Sequence, residues 1–122
     1  MNDAPPSAST DADALLRLKR FGGSALLVQM IDLFLVAGAD RVTAAREATE
    51  RGDAAAAEMA LHSLRSSAAQ LGAPRMQQLS EHGELLARSG AVEELPPIVA
   101  ELEFELERVT AWLTTMRTME GA

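Results

Sequence analysis

The chain has 122 residues, eleven Lys and Arg against eighteen Asp and Glu, and a formal net charge of −7. That length suits one domain with a modest core, and the acidic balance opposes binding to a nucleic-acid backbone, which demands clustered Lys and Arg. Cysteine is absent, which excludes disulfide frameworks, thiolate zinc sites and cysteine nucleophiles.

Residues 1–10 are rich in Pro, Ser and Ala and read as a disordered lead. The start, MNDAPPSASTDADA, has neither the basic residues nor the apolar stretch of a secretory signal. Residues 11–119 read as one helical domain. Ala and Leu dominate, aromatic residues are 3% of the chain, and three consecutive β-branched residues occur nowhere, so propensity favours an all-α fold. Thr10 or Asp11 is placed to cap a short helix over 11–20, which Phe21-Gly22-Gly23 breaks, and Ser24 is placed to cap the next. That second helix, over 24–51, carries Leu27, Ile31, Phe34, Gly38, Val42 and Ala45 on one stripe. Its most apolar part, ALLVQMIDLFLVAGA (25–39), is interrupted by Gln29 and Asp32 and falls short of a membrane span. A soluble, cytoplasmic monomer is expected, without membrane or nucleic-acid partners.

Gly52-Asp53 ends one helix and caps another over 53–71; Leu71-Gly72-Ala73-Pro74 breaks it, with Pro74 suited to a first helical position. A fourth helix spans 74–89, and a fifth starts near Val92 or after Pro96-Pro97 and reaches Met119. Leu95, Val99, Leu102, Leu106, Val109, Leu113 and Met116 form its seam, in alternating steps of four and three. Glu101, Glu103, Glu105, Glu107 and Arg108 read as a solvated face interrupted by Phe104; Trp112 also lies off the seam. Long helices with short breaks pack antiparallel. The expected fold is an antiparallel up-and-down four-helix bundle with a short extra N-terminal helix across one end.

The helix over 53–71 holds the most informative residue. Its apolar stripe is Ala57, Leu61, Leu64, Ala68 and Leu71. At about 100° per residue, His62 falls about 140° from the stripe centre, on the solvent side with Ala55, Met59, Ser66 and Ala69 and flanked by Glu58 and Arg65. Small neighbours leave the imidazole clear for another protein's approach. Arg65, three positions on, can bring a guanidinium to an anion carried by the ring. An exposed imidazole is a competent nucleophile near neutral pH. A surface histidine without a role is the competing reading of the spacing alone.

The stretch His62-Ser63-Leu64-Arg65-Ser66-Ser67-Ala68-Ala69-Gln70-Leu71-Gly72-Ala73 resembles the motif His-x-Leu-Lys-Gly-Ser-x-x-x-Leu-Gly-Ala of histidine-containing phosphotransfer (HPt) domains. The Gly52-Asp53 helix start and MQQLSEHGELLARSG agree with that family, and the resemblance covers residues 14–117. It implies a phosphorelay carrier without ATP-dependent kinase activity of its own, in which a histidine takes a phosphoryl group from a receiver-domain aspartate and passes it to another. It implies His62 as phosphoacceptor, Arg65 in the place of the lysine that holds the phosphoryl oxygens, and Glu84 facing the phosphohistidine from the next helix. Partners would be response-regulator receivers and a hybrid sensor histidine kinase, docking over Met59, Ser66, Ala69, Ala55 and Met30, with Leu26 and Leu33 as further candidates. The chain would hold no cofactor or metal, since the receiver supplies Mg2+. Departures from the pattern are Arg65 for Lys, Ser66 for Gly, and Gly83 for an apolar residue. The alternative is an adaptor that docks to a kinase or receiver without taking phosphate.

Other constellations are weak. Met59 and Leu79, three before His62 and His82, rule out the Glu-x-x-His pairs of a di-metal bundle. Glu58 and His62, four apart, could share a metal as two ligands only. His82 reads as a solvent-facing helix residue.

Overall fold

Asp11 starts the first helix: its Oδ1 accepts a hydrogen bond from the Asp13 backbone N–H at 3.0 Å, an N-cap worth about 1 kcal/mol. In the computed structural model, which describes residues 8–121, α1 then runs Ala12–Glu50. The lead read over 1–10 lies, for residues 1–7, outside the described residues. The expected short first helix is not a separate element. Only Gly23 leaves helical geometry inside α1 (φ 76°, ψ −176°), a conformation that favours glycine; Phe21 and Gly22 stay helical, so the break is a one-residue kink. Ser24 does not cap a new helix, and its hydroxyl instead donates to Glu120 Oε1 at 2.7 Å.

Three more helices follow: α2 (Ala54–Gln70), α3 (Pro74–Arg88) and α4 (Pro96–Gly121), with a 3-10 turn at Val92–Glu94 before α4. Asp53 caps α2 by accepting from the Ala56 N–H at 3.0 Å, and Pro74 opens α3 where a missing N–H costs nothing. Ion pairs fix the directions. Lys19–Glu120, Asp32–Arg117 and Arg46–Glu103 run antiparallel between α1 and α4, as the Glu58–Arg88 pair and the His62–Glu84 hydrogen bond do between α2 and α3. The result is a four-helix bundle in which neighbours in sequence are neighbours in space.

The core is built as the periodicity predicts. Leu27, Ile31, Phe34, Gly38, Val42 and Ala45 of α1 are buried, as are Ala57, Leu61, Leu64, Ala68 and Leu71 around α2. Along α4, Leu95, Val99, Leu102, Val109 and Leu113 are buried while Leu106 and Met116 are half-buried. Glu105 corrects the charged-face reading: it is buried, because Ile98, Leu102, Glu105 and Val109 share the inward face at steps of four, three and four. An 18-residue window of α1 is, by length and composition, apolar enough to cross a membrane, despite Gln29 and Asp32. Within the bundle Leu27, Ile31 and Phe34 from this region enter the core, and Asp32 pairs with Arg117.

The α2–α3 turn sets the register of the two site-bearing helices. Gly72 has φ 74° and is buried against the start of α1, where a Cβ would run into the Asp11 carbonyl. The Asp11 N–H donates to the Gly72 carbonyl at 2.8 Å, and the Arg75 N–H donates to the Ala8 carbonyl at 2.9 Å. The N-terminal segment thus ties down the loop joining α2 to α3.

Candidate functional site

The inward stripe of α2 leaves His62 facing out, and its side chain is 58% exposed. Across the helix pair, Glu84 of α3 is almost fully buried, with 3% of its side chain accessible. Glu84 Oε2 lies 2.7 Å from His62 Nδ1. A carboxylate can only accept, so Nδ1 carries the proton and donates it, which leaves the Nε2 lone pair free. Arg65 Nη2 lies 3.3 Å from the same Nδ1, but a guanidinium has no acceptor and Nδ1 has no second role to offer. The shorter carboxylate bond sets the tautomer, and the arginine lies alongside it.

Glu84 is held by more than the imidazole. Its Oε1 accepts no hydrogen bond and lies 3.3 Å from Arg65 Nη1 as an ion pair only. Its Oε2 accepts from Arg88 Nη2 at 3.0 Å, and Arg88 Nε donates to Glu58 Oε2 at 2.9 Å. A buried carboxylate stays charged only when neighbours compensate its lost hydration, and two guanidiniums do so here. Arg88 is raised above the ordinary guanidinium value, first by the hydrogen bond to Glu58 and then by Glu58's charge; desolvation opposes this and Glu84's charge adds to it.

The structure brings His62, Arg65 and Glu84 into one cluster. Ala55, Met59, Ser66 and Ala69 are exposed along the same strip of α2, Met59 at 74%. The Ser66 hydroxyl turns back onto the His62 carbonyl at 3.4 Å, so the residue in place of glycine keeps its oxygen off the ring. Met30, half-buried against the core, lines a groove of ≈ 210 Å3 with Leu33, Ser67 and Gln70 at the margin of that strip. Leu26 is half-buried and Leu33 exposed. Glu58 is not turned toward His62 as a metal partner, because its carboxylate is taken by Arg88. His82 is exposed.

Sequence reasoning missed Arg88 as a site residue. Its spacing of four from Glu84 was the available signal; the bridge to Glu58 joins two helices and has no sequence signature. Arg41 was missed too. Its Nε donates to Ser63 Oγ at 3.0 Å, and it lines a groove of ≈ 380 Å3 with Ala44, Ala56, Met59 and Ser63 beside the histidine. Gly83, in place of the family's apolar residue, lets the helices close: a Cβ there would meet Leu61 at 3.0 Å and Ile98 at 3.2 Å.

Two solved structures share this architecture. Histidine-containing phosphotransfer protein B (HptB) from Pseudomonas aeruginosa PAO1 aligns with a TM-score of 0.87 at 21% identity, over 93% of this chain and 97% of that one. The HPT domain of the Hpt sensor hybrid histidine kinase from Shewanella aligns with a TM-score of 0.79 at 23% identity, over 91% and 95%. At those identities the likeness is one of fold. No curated protein matches the sequence significantly. The family model described as "Hpt domain" matches residues 29–112, more than half of the chain and the whole of the helix pair that carries His62 and Glu84, and the chain belongs to the Hpt domain family.

Proposed function

We propose that the chain is a phosphorelay carrier in which His62 Nε2 accepts a phosphoryl group from a receiver-domain aspartyl phosphate and returns it to another receiver. One observation carries this reading: the Nδ1–H of an exposed imidazole is engaged by a buried carboxylate at 2.7 Å, which leaves Nε2 as the outward nucleophile. In the forward step the Nε2 lone pair attacks phosphorus, the N–P bond forms, and the P–O bond breaks with its electron pair going to the departing aspartate. The ring gains positive charge, which Glu84 offsets through the Nδ1–H bond. The return step reverses each bond change. Arg65 suits the phosphoryl oxygens, being cationic and next to the ring. Phosphoryl transfer is mostly positioning and charge stabilisation, so little else is asked of this bundle.

In this reading the chain holds no cofactor, and the Mg2+ belongs to the receiver. Ala55, Met59, Ser66 and Ala69 form the docking strip; Met30, at its margin, contributes packing more than contact. To test the reading, receiver domains charged with radiolabelled phosphate are mixed with wild type and with His62→Gln. Acid-labile label moves to wild type only. Should wild type bind the receivers and take no label, the adaptor reading replaces this one.

A further inference from the structure

Glu84 has two guanidinium partners where one would give a simple pair. Arg65 Nη1 stands 3.3 Å from Oε1 without hydrogen-bond geometry, whereas Arg88 Nη2 donates to Oε2 at 3.0 Å and is itself fixed by Glu58 at 2.9 Å. The loose partner is the one beside the imidazole; the fixed partner is one helical turn along α3 and tied across to α2. In the proposed carrier, Arg65 can reach phosphoryl oxygens only by giving up part of its contact with Glu84. Without a second cation, that move would strand a buried carboxylate, which would then turn toward solvent and release the Nδ1–H.

We infer that Arg88, held by Glu58, is a positioning residue: it keeps the Glu84 carboxylate charged and aimed at His62 Nδ1 so that Arg65 is free to turn from Glu84 to the phosphoryl group. This rests on the carrier reading for its purpose, but its geometry does not. The polar contacts of Arg88 go to Glu84 and Glu58, not to the imidazole, so the inferred role runs through Glu84. Glu58 contributes by orientation, since its carboxylate takes the Nε edge of the guanidinium and leaves Nη2 facing Glu84. Lysine in place of Arg88 would keep the charge and reach one carboxylate at a time.

The test separates the inference from the reading on which it rests. Imidazole nitrogen NMR on the unphosphorylated full chain, followed toward alkaline pH until the ring shifts stop changing, reports the His62 tautomer without any phosphate. Wild type is expected as a single Nδ1–H tautomer. Arg88→Gln is expected to shift both ring nitrogens toward a tautomer mixture and to slow phosphoryl uptake about tenfold, at the low end of the effect of an outer partner of a functional histidine. Arg88→Lys recovers part of both readouts, and Glu58→Gln gives the same change as Arg88→Gln at smaller size. Circular dichroism establishes that each variant is folded; an unfolded Arg88→Gln passes the test to Glu58→Gln, which leaves the i,i+4 pair in place. A folded Arg88→Gln with wild-type nitrogen shifts and wild-type uptake overturns the inference, and so does Glu58→Gln with wild-type values if it stands in. If wild type takes no label yet the shifts move in Arg88→Gln, the positioning relay stands and the carrier reading fails.

Discussion

Among the ion pairs that join helices, those on the α1–α4 seam and those on the α2–α3 seam differ in burial. On the α1–α4 seam, Arg117 Nη2 donates to Asp32 Oδ2 at 3.0 Å, and Lys19 and Ser24 both donate to Glu120; Asp32 is 48% exposed. On the α2–α3 seam, Glu84 is 3% exposed and serves His62, Arg65 and Arg88 together. The chemistry is the same, carboxylate against cation. Water screens the first set, and such pairs contribute little to stability. The second set is shielded on the carboxylate side, where removing a partner leaves a group that water cannot rescue. The α1–α4 pairs dress a seam that apolar packing already holds, while the α2–α3 cluster sets the state of one imidazole.

Variants can break that contrast. His62→Gln has the largest expected effect, complete loss of acid-labile label with the fold intact, read by phosphoryl transfer and circular dichroism. Glu84→Ala, which leaves the Nδ1–H without its acceptor, is expected to slow transfer about a hundredfold; Glu84→Gln, which keeps an acceptor without the charge, loses less, and the gap between the two measures how much the charge matters. Gly83→Leu attacks the packing beneath Glu84: its side chain must displace Leu61 and Ile98, and overpacking of this kind costs about 1–3 kcal/mol, read as a lower melting midpoint. Asp32→Asn on the other seam is expected to lower the midpoint only slightly at neutral pH, because the pair is exposed. The Arg117 hydrogen bond, helped by its charge and opposed by desolvation, holds the Asp32 carboxyl below its ordinary value of 3.8. A depressed folded value gives stability that is present above 3.8 and lost as pH falls through the lower folded value. The small advantage of wild type over Asp32→Asn should therefore shrink only in that acid range, in thermal melts across pH.

Much of this was legible in the sequence where one helix face decides the outcome. The stripe from Ala57 to Leu71 placed His62 outward, and the seam of α4 placed its apolar residues inward, because periodicity within a helix depends only on local geometry. Glu105 escaped because alternating Glu residues look like a solvent face until neighbouring helices choose which side to cover. The short first helix is not a separate element for a related reason: two glycines signal a break, but only Gly23 leaves helical geometry, and two helical stretches join across a kink there within α1. Of the site, helix periodicity and spacing singled out His62 and Arg65, and the motif resemblance added Glu84. Arg88 was signalled only by its spacing of four from Glu84; its bridge to Glu58 required the relative register of α2 and α3, which the Gly72 turn and the Asp11 hydrogen bond set and no single-helix pattern encodes.

The central claim is that Nε2 of His62, and not Nδ1, is the nucleophile that faces a partner. Treating the isotope-labelled chain with phosphoramidate, a small phosphoryl donor, and reading nitrogen–phosphorus coupling in the product tests it without choosing a receiver. Coupling to Nε2 of His62, with Nδ1 still protonated, is the expected result. Phosphate on Nδ1, on His82, or on no histidine would contradict it.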